Sequence, residues 1–350
     1  MNEPAASLKK NLFLATTLFI FLLHTSCSRL LMQADESNTP TNCFNLMWET
    51  VDKHYAFFDL KKIDWQKAKQ RYAARIDDKI SQDSLYKVLE AMLNELHDGH
   101  VNLTTPTQRS HNWRWKQDFP DNYNFNFVAK KYLGTDFQIT GPFFHQWLSD
   151  SIGYVHYGSF SAPTSDSDLN YILSRFSSAR GLVFDVRDNG GGAMNNVLKI
   201  INRFTQKKIP VGNSFMKNGT AHNQFTKGTT FYALPTPKAA SFLKPVMLLI
   251  NRGCYSATTF FAGFMSALPN VTLIGDQTGG GGGIPISSDL PNGWQYRFSA
   301  TYTLLSDSTN IESGVTPKIK VTTNAKDEIE GKDKLIEKAM EIIKKTDSGR

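Results

Sequence analysis

Three short, almost wholly apolar runs, each leading through a loop into a helix-patterned segment, constrain this protein more than any other feature. Ile152–His156 reads as a strand and 167–176 as a helix. Leu182–Val186 is a buried strand followed by a helix over 194–204, and Val246–Ile250 is a strand followed by a helix over 256–268 and a further strand over 271–274. Neighbouring parallel strands need a crossover, and a helix is the usual one, so this repetition predicts a mostly parallel α/β core. In such a sheet the functional groups gather on loops at the carboxyl ends of the strands.

The flanks have other periodicities. Phe44, Met47, Trp48, Val51, Tyr55 and Phe58 recur at three and four, as do Leu85, Val88, Leu89, Met92, Leu93 and Leu96, which predicts a helical subdomain over 42–100. Asp64 and Ser81 are the expected N-caps of its second and third helices. Residues 101–150 read as a short β-rich connection, with the aromatic alternation of Tyr123–Val128 as a strand. The α/β core is expected over 151–325, closing with β structure at Trp294–Leu305, and a terminal helix over 326–350, its apolar stripe within Asp333–Ile343.

At the start, Lys9 and Lys10 precede an apolar run from Leu12 to Leu23, then Thr25, Ser26 and Cys27. A bilayer span needs about 20 apolar residues, so this run suits the core of a secretory signal over 1–26. Cys27 after a small residue looks like a bacterial lipoprotein acceptor, with 27–41 as its polar tether. An ordinary signal with an incidental Cys is the plainer alternative. Either way the mature protein is expected outside the cytoplasm, lipid-anchored in the cell envelope (periplasm or outer membrane) or secreted. Membrane contact would come through the lipid.

The formal charge of +7 is local. No Asp or Glu lies between Asp188 and Asp276, whereas nine Lys or Arg do. With no basic cluster or nucleic-acid motif, and an exported location, nucleic acid is not an expected partner. The deficit instead suggests a preference for peptides bearing a terminal carboxylate or acidic side chains.

Three strand-end segments hold reactive groups. Asp185–Ala193 runs from a buried strand into Gly190, Gly191 and Gly192, where backbone N–H groups can face an anion, although a tight turn alone would explain the glycines. In Val246–Phe260, Ser256 stands at a strand-to-helix elbow with the N–H of Ala257 following it; the alternative is that Ser256 only caps the helix. Cys254 lies before the elbow and ranks below Ser256 as a nucleophile. In Leu96–Val101, His100 follows a helix-ending Gly, and a serine hydroxyl needs such an imidazole to take its proton. His97 with His100 forms an H-x-x-H pair, but no third ligand is near in sequence, so neither a metal nor a cofactor is expected.

Taken in order, Leu96-x-Asp98-Gly99-His100, Asp185-x-Arg187-x-Asn189-x-Gly191-Gly192, Asn251-x-Gly253-x-x-Ser256-Ala257, Gly275-Asp276-x-Thr278 and Glu312-x-Gly314-Val315-x-Pro317 resemble the tail-specific, C-terminal processing serine proteases. The resemblance spans about 42–325 and implies a crotonase-like α/β core with an N-terminal helical subdomain. The roughly 50 residues between His100 and Ile152 are too few for the PDZ domain of many relatives. One branch of the family uses a Lys base after the Gly-x-x-Thr motif; here Gly281 stands in its place. The resemblance is therefore to the tricorn-core-like branch, which implies Ser256 as nucleophile, His100 as base, Glu312 as support for the imidazole, and the N–H groups of Gly191 or Gly192 and Ala257 as oxyanion donors. Thr259 and Lys318 stand where many relatives carry acids, which bears on substrate geometry. The implied activity is hydrolysis of peptide bonds in extended or unfolded polypeptides. A noncatalytic ligand-binding protein or pseudopeptidase on the same fold is the alternative.

Overall fold

The computed structural model describes residues 37–347, except Asp118, Pro120, Asp150 and the side chain of Asp347. The expected signal, Cys27 and most of the tether lie outside the described residues. Among those described, no helix is long and apolar enough to cross a membrane.

A seven-stranded sheet forms the centre, in the order Ile319–Lys320, Val271–Gly275, Val246–Ile250, Gly181–Asp185, Ile152–Tyr157, Phe143–Ser149, Gln138–Thr140. The first five are mutually parallel, and the last two pair antiparallel at one edge. The sheet is thus mixed, because the 101–150 region supplies two edge strands. Val246–Ile250 is apolar throughout, and Gly181–Asp185 is apolar up to its terminal Asp185, since both faces are covered. Leu182, Phe184, Leu248 and Ile250 pack with residues of the helices Asp166–Arg175, Met194–Ile201 and Ala257–Ser266. Val183, Met247 and Leu249 face Leu335, Ile336, Ala339 and Ile343 of the terminal helix Lys334–Asp347.

The helical subdomain comprises Pro40–His54, Phe58–Lys61, Trp65–Ala73 and Gln82–Asn94. Asp64 and Ser81 do cap, accepting from the N–H groups of Lys67 and Ser84 at 2.9 and 3.2 Å. Its apolar stripe is core: Phe44, Met47, Trp48, Leu89 and Met92 share a cluster with Trp294, Tyr296 and Phe298. Those last three belong to, or adjoin, a hairpin of Pro285–Asp289 and Gln295–Ser299, to which Asn102–Thr104 adds antiparallel with Asn102 opposite Arg297. This packing carries the backbone just after the subdomain to the core. A second small sheet, Thr301–Leu305, Ile209–Met216 and Thr229–Ala233, lies beside it.

One expected strand is helical. Phe125–Val128 forms a helical turn that continues through 129–133 as a π-helix. Asn124 caps it, its Oδ1 accepting from the N–H of Phe127 at 3.1 Å. From helical positions Phe125 reaches the rings of Phe144 and His156, and Phe127 reaches Tyr132. Tertiary packing of the aromatics therefore overrides their two-residue alternation.

Where the strand Gly181–Asp185 ends, Arg187 is fully buried. It bonds Asp185 at 2.6 Å and Asp333 at 2.7 Å, with its guanidinium 4.3 Å from the Tyr123 ring centre. The ion cluster joins the terminal helix to the strand from which the glycine loop departs, which fixes that loop's root.

Candidate active site

Ser256 stands at the end of the loop after Val246–Ile250, with φ 54° and ψ −123°, and the helix Ala257–Ser266 begins directly after it. A non-glycine residue in this region is strained by about 1–3 kcal/mol. A neighbouring loop holds it there: the Ser256 N–H donates to Gly280 O at 2.9 Å. Its side chain makes no capping bond to the helix. The hydroxyl instead lies 2.8 Å from His100 Nε2.

Gly191 and Gly192 lie against this elbow with φ of +103° and +143°. A Cβ on Gly191 would come within 2.6 Å of Tyr255 O and 2.9 Å of Ser256 Cβ, and one on Gly192 within 2.1 Å of Ser161 N, so neither position admits a side chain. The Gly191 N–H donates to Asn189 Oδ1 at 3.0 Å, which turns it into the loop. The Ala257 N–H opens the helix, where N–H groups lack intrahelical acceptors.

His100 is 4% exposed. Its Nδ1 faces Ser299 Oγ at 3.3 Å and Asp98 Oδ1 at 3.9 Å, while its backbone N–H donates to Asp98 Oδ1 at 2.8 Å. Burial lowers its pKa to about 4; Asp98 opposes that shift, and Arg297 and Lys61 reinforce it. The imidazole is therefore neutral at pH 7 and able to accept a proton at Nε2. Burial pulls the Asp98 carboxyl upward, but Lys61, His100 and the hydrogen bonds it accepts outweigh this and hold it below the ordinary carboxylate range.

Glu312 joins the same buried charge cluster without touching His100. Its Oε1 pairs with Lys61 Nζ at 2.7 Å and its Oε2 accepts from the Gly282 N–H at 2.9 Å. Burial, with the Asp98 charge adding to it, raises its pKa to about 7 against the pull of Lys61. Lys61 also donates to His97 O at 3.0 Å. Gly281, at φ +75°, would place a Cβ 2.6 Å from the Tyr255 ring, so that position has no room for a lysine. Cys254 is buried, its Sγ 3.0 Å from Val186 O, and burial pushes its thiol up. The two imidazoles of the H-x-x-H pair have separate partners, His97 facing Arg114 at 3.2 Å.

The His100–Ser256 pair opens on a cleft of about 570 Å³ bordered by the glycine loop, Tyr255, Trp113, Trp115, Lys116, Asp188 and Arg297. Tyr255 and Trp115 stack with centroids 4.1 Å apart. None of the nine cations of the acid-free stretch borders this cleft. Several have structural partners instead: Arg203 pairs with Asp166, Lys199 donates to Thr164 O, and Lys244 to Ser177 O and Ala179 O. The expected basic lining thus comes from elsewhere in the sequence, Lys116 and Arg297.

Residues 151–321 match the model of Peptidase family S41, and 38–94 that of the Tricorn protease C1 domain. A solved structure from Parabacteroides merdae, assigned as a peptidase, is 40% identical and superposes with a TM-score of 0.82 over 88% of this chain and 97% of that one. The chain belongs to peptidase family S41. It is similar also to the carboxy-terminal processing protease CtpA of Bacillus subtilis, 26% identical over 179 residues. That match covers 51% of this chain and 36% of the relative, so the chain spans little more than a third of that protein's length. The tricorn protease shares the fold, with a TM-score of 0.56 at 16% identity over 88% of this chain and 37% of that one.

In this S41 peptidase, Lys61, Ser299 and Arg297 escaped the reading of motifs. Lys61 ends a four-residue helix and the other two lie on a short strand, with no spacing that sets them apart from surface residues. Only the pairing of Asn102–Thr104 with Gln295–Ser299 brings Ser299 to the imidazole.

Proposed function

We propose that this protein hydrolyses peptide bonds in extended or unfolded polypeptides, with Ser256 as nucleophile and His100 as general base. The 2.8 Å contact between Ser256 Oγ and a neutral His100 Nε2, at a strained elbow facing an open cleft, carries the proposal. Ser256 Oγ attacks the scissile carbonyl carbon as its proton passes to His100 Nε2. The oxyanion is met by the N–H of Ala257 and that of Gly192, with Gly191 shaping the loop around them. The C–N bond then breaks as His100 returns the proton to the leaving amine. Water, deprotonated by His100, cleaves the acyl-enzyme and regenerates the serine. In this scheme Asp98 and Ser299 orient the imidazole, and Glu312 supports the charge cluster at one remove, through Lys61. The crotonase-like core without a PDZ domain is part of the same reading, as are export, lipidation at Cys27 and residence in the cell envelope.

A serine-directed fluorophosphonate probe tests the assignment. It should modify the native protein at Ser256 and block hydrolysis of an unfolded polypeptide such as reduced, carboxymethylated casein. Absence of adduct on folded, hydrolytically active protein would remove Ser256 from its role.

The acid limb of the rate profile should lie low. Only neutral His100 accepts the serine proton, so activity is lost as pH falls through its pKa. Because burial lowers that pKa from the ordinary 6.5 to about 4, the main acid-side loss of kcat/KM should fall near pH 4, preceded by at most a tenfold step around pH 7 as Glu312 takes up its proton. A loss much larger than tenfold centred at 6.5 would mean that the free enzyme's imidazole is solvated.

A further inference from the structure

We propose that Arg297 is the anchor for a substrate carboxylate located on the leaving-group side of the scissile bond. The inference rests on the peptidase reading above and deepens it. Arg297 lies in the middle of the strand Gln295–Ser299 and borders the cleft that holds Ser256 and His100. Its guanidinium is partly buried, yet among the described residues it has neither an ion-pair nor a hydrogen-bond partner. Neighbouring charge makes this position more costly. Arg109, whose guanidinium bonds Asn102 at 3.1 Å opposite Arg297 on the paired strand, repels it, and Lys116 adds a further cation to the cleft lining. Asp98 exerts some attraction without reaching ion-pair distance, and it is 1% exposed, so it offers no surface to solvent or substrate. A cation that has lost part of its hydration without gaining a partner is unfavourable until an anion arrives.

The position identifies which part of the substrate supplies that anion. Residue 297 stands two positions before Ser299, whose hydroxyl contacts His100 Nδ1, so both side chains leave the same face of the strand. Arg297 is therefore on the imidazole side of the cleft, whereas Asp188 borders it together with the glycine loop. The imidazole must protonate the departing amine, so the substrate residues that follow the cut lie on its side. A planar, five-donor guanidinium there suits a carboxylate, which it can hold with two parallel hydrogen bonds. An acidic side group just beyond the cut and the terminal carboxylate of a short leaving segment offer the same chemistry.

Two sets of internally quenched peptides separate those sources. One places Glu or Gln at each of the three positions following the cleaved bond; the other ends in a free acid or an amide at the same distances. The wild-type protein should favour at least one carboxylate peptide over its neutral counterpart by about tenfold or more in kcat/KM. Arg297→Gln should shrink that ratio to within about twofold, and Arg297→Lys should keep an intermediate one, retaining charge without the fork. Preference confined to Glu identifies a side-chain site, and preference confined to the free acid identifies a terminal one. Ratios near one for every wild-type pair, or a preference that survives in Arg297→Gln, would overturn the proposal. Fluorescence anisotropy of the same peptides on Ser256→Ala gives a second readout. If no peptide is cut and no probe adduct forms, the catalytic reading has failed; a tenfold Kd difference would still support the carboxylate site, and equal or undetectable binding would refute it.

Discussion

Replacement of His100 by alanine should lower kcat/KM roughly 10⁴-fold on any peptide the protein cleaves, with the slowing of fluorophosphonate modification at Ser256 of similar size. A serine hydroxyl is almost wholly protonated at neutral pH, and its proton must leave as the new C–O bond forms. His100 Nε2, at 2.8 Å, is the contact able to take it. The same ring later returns the proton to the amine, so its removal affects both formation of the acyl-enzyme and departure of the first product. The substitution also empties a buried site and removes the ring whose Nδ1 lies 3.9 Å from the Asp98 carboxylate. Thermal denaturation should accompany the kinetics, because a folded variant with intact melting and a 10⁴-fold loss isolates the chemistry. Retention of more than about a tenth of the activity would point to another base, and titration above about pH 9 would identify a lysine. Position 281 would remain excluded sterically, since it cannot hold a side group beside Tyr255.

The legibility of the molecule follows from the range of the interactions involved. The strand Val246–Ile250 and the helix Ala257–Ser266 were readable because burial on every side writes a largely apolar run into contiguous residues. Ser256 and Gly191 were readable because an elbow and a side-chain-free turn each demand a particular residue type at one place. The Tyr123–Val128 alternation misled because its aromatics pack on distant partners such as Phe144 and His156, and those partners decide the local backbone. The acid-free stretch misled in a related way: its cations share one stretch of sequence, but none of them lines the cleft, and Arg203 is held by Asp166 instead. Lys61 and Ser299 meet His100's surroundings only through the packing of the helical subdomain on Trp294, Tyr296 and Phe298. That packing has no signature in any one segment.

Asp98→Asn should slow catalysis about 10²- to 10³-fold, whereas Glu312→Gln should slow it by about tenfold or less. The difference comes from where each charge is directed. In the transition state His100 becomes an imidazolium, and a buried carboxylate about 4 Å away stabilises it by up to ~4 kcal/mol at an effective dielectric near 20. Asp98 is 3.9 Å from Nδ1 and also fixes the residue through its backbone N–H. Asparagine keeps the shape and most of that bond but removes the charge, so the loss should appear in kcat rather than KM. Above its pKa of about 7, Glu312 is ionised and bound by Lys61 at 2.7 Å, and the pair then presents almost no net charge to the imidazole. Glutamine there would leave Lys61 cationic beside a forming cation, which explains a modest loss and predicts its cure. Lys61→Met combined with Glu312→Gln should recover part of the activity lost in the single glutamine variant, a coupling that a double-mutant cycle measures directly. If Glu312→Gln proved more damaging than Asp98→Asn, and Lys61→Met gave no rescue, the support of the imidazole would run through Glu312 itself, as the family resemblance implies, and Lys61 would be its conduit rather than its counterion.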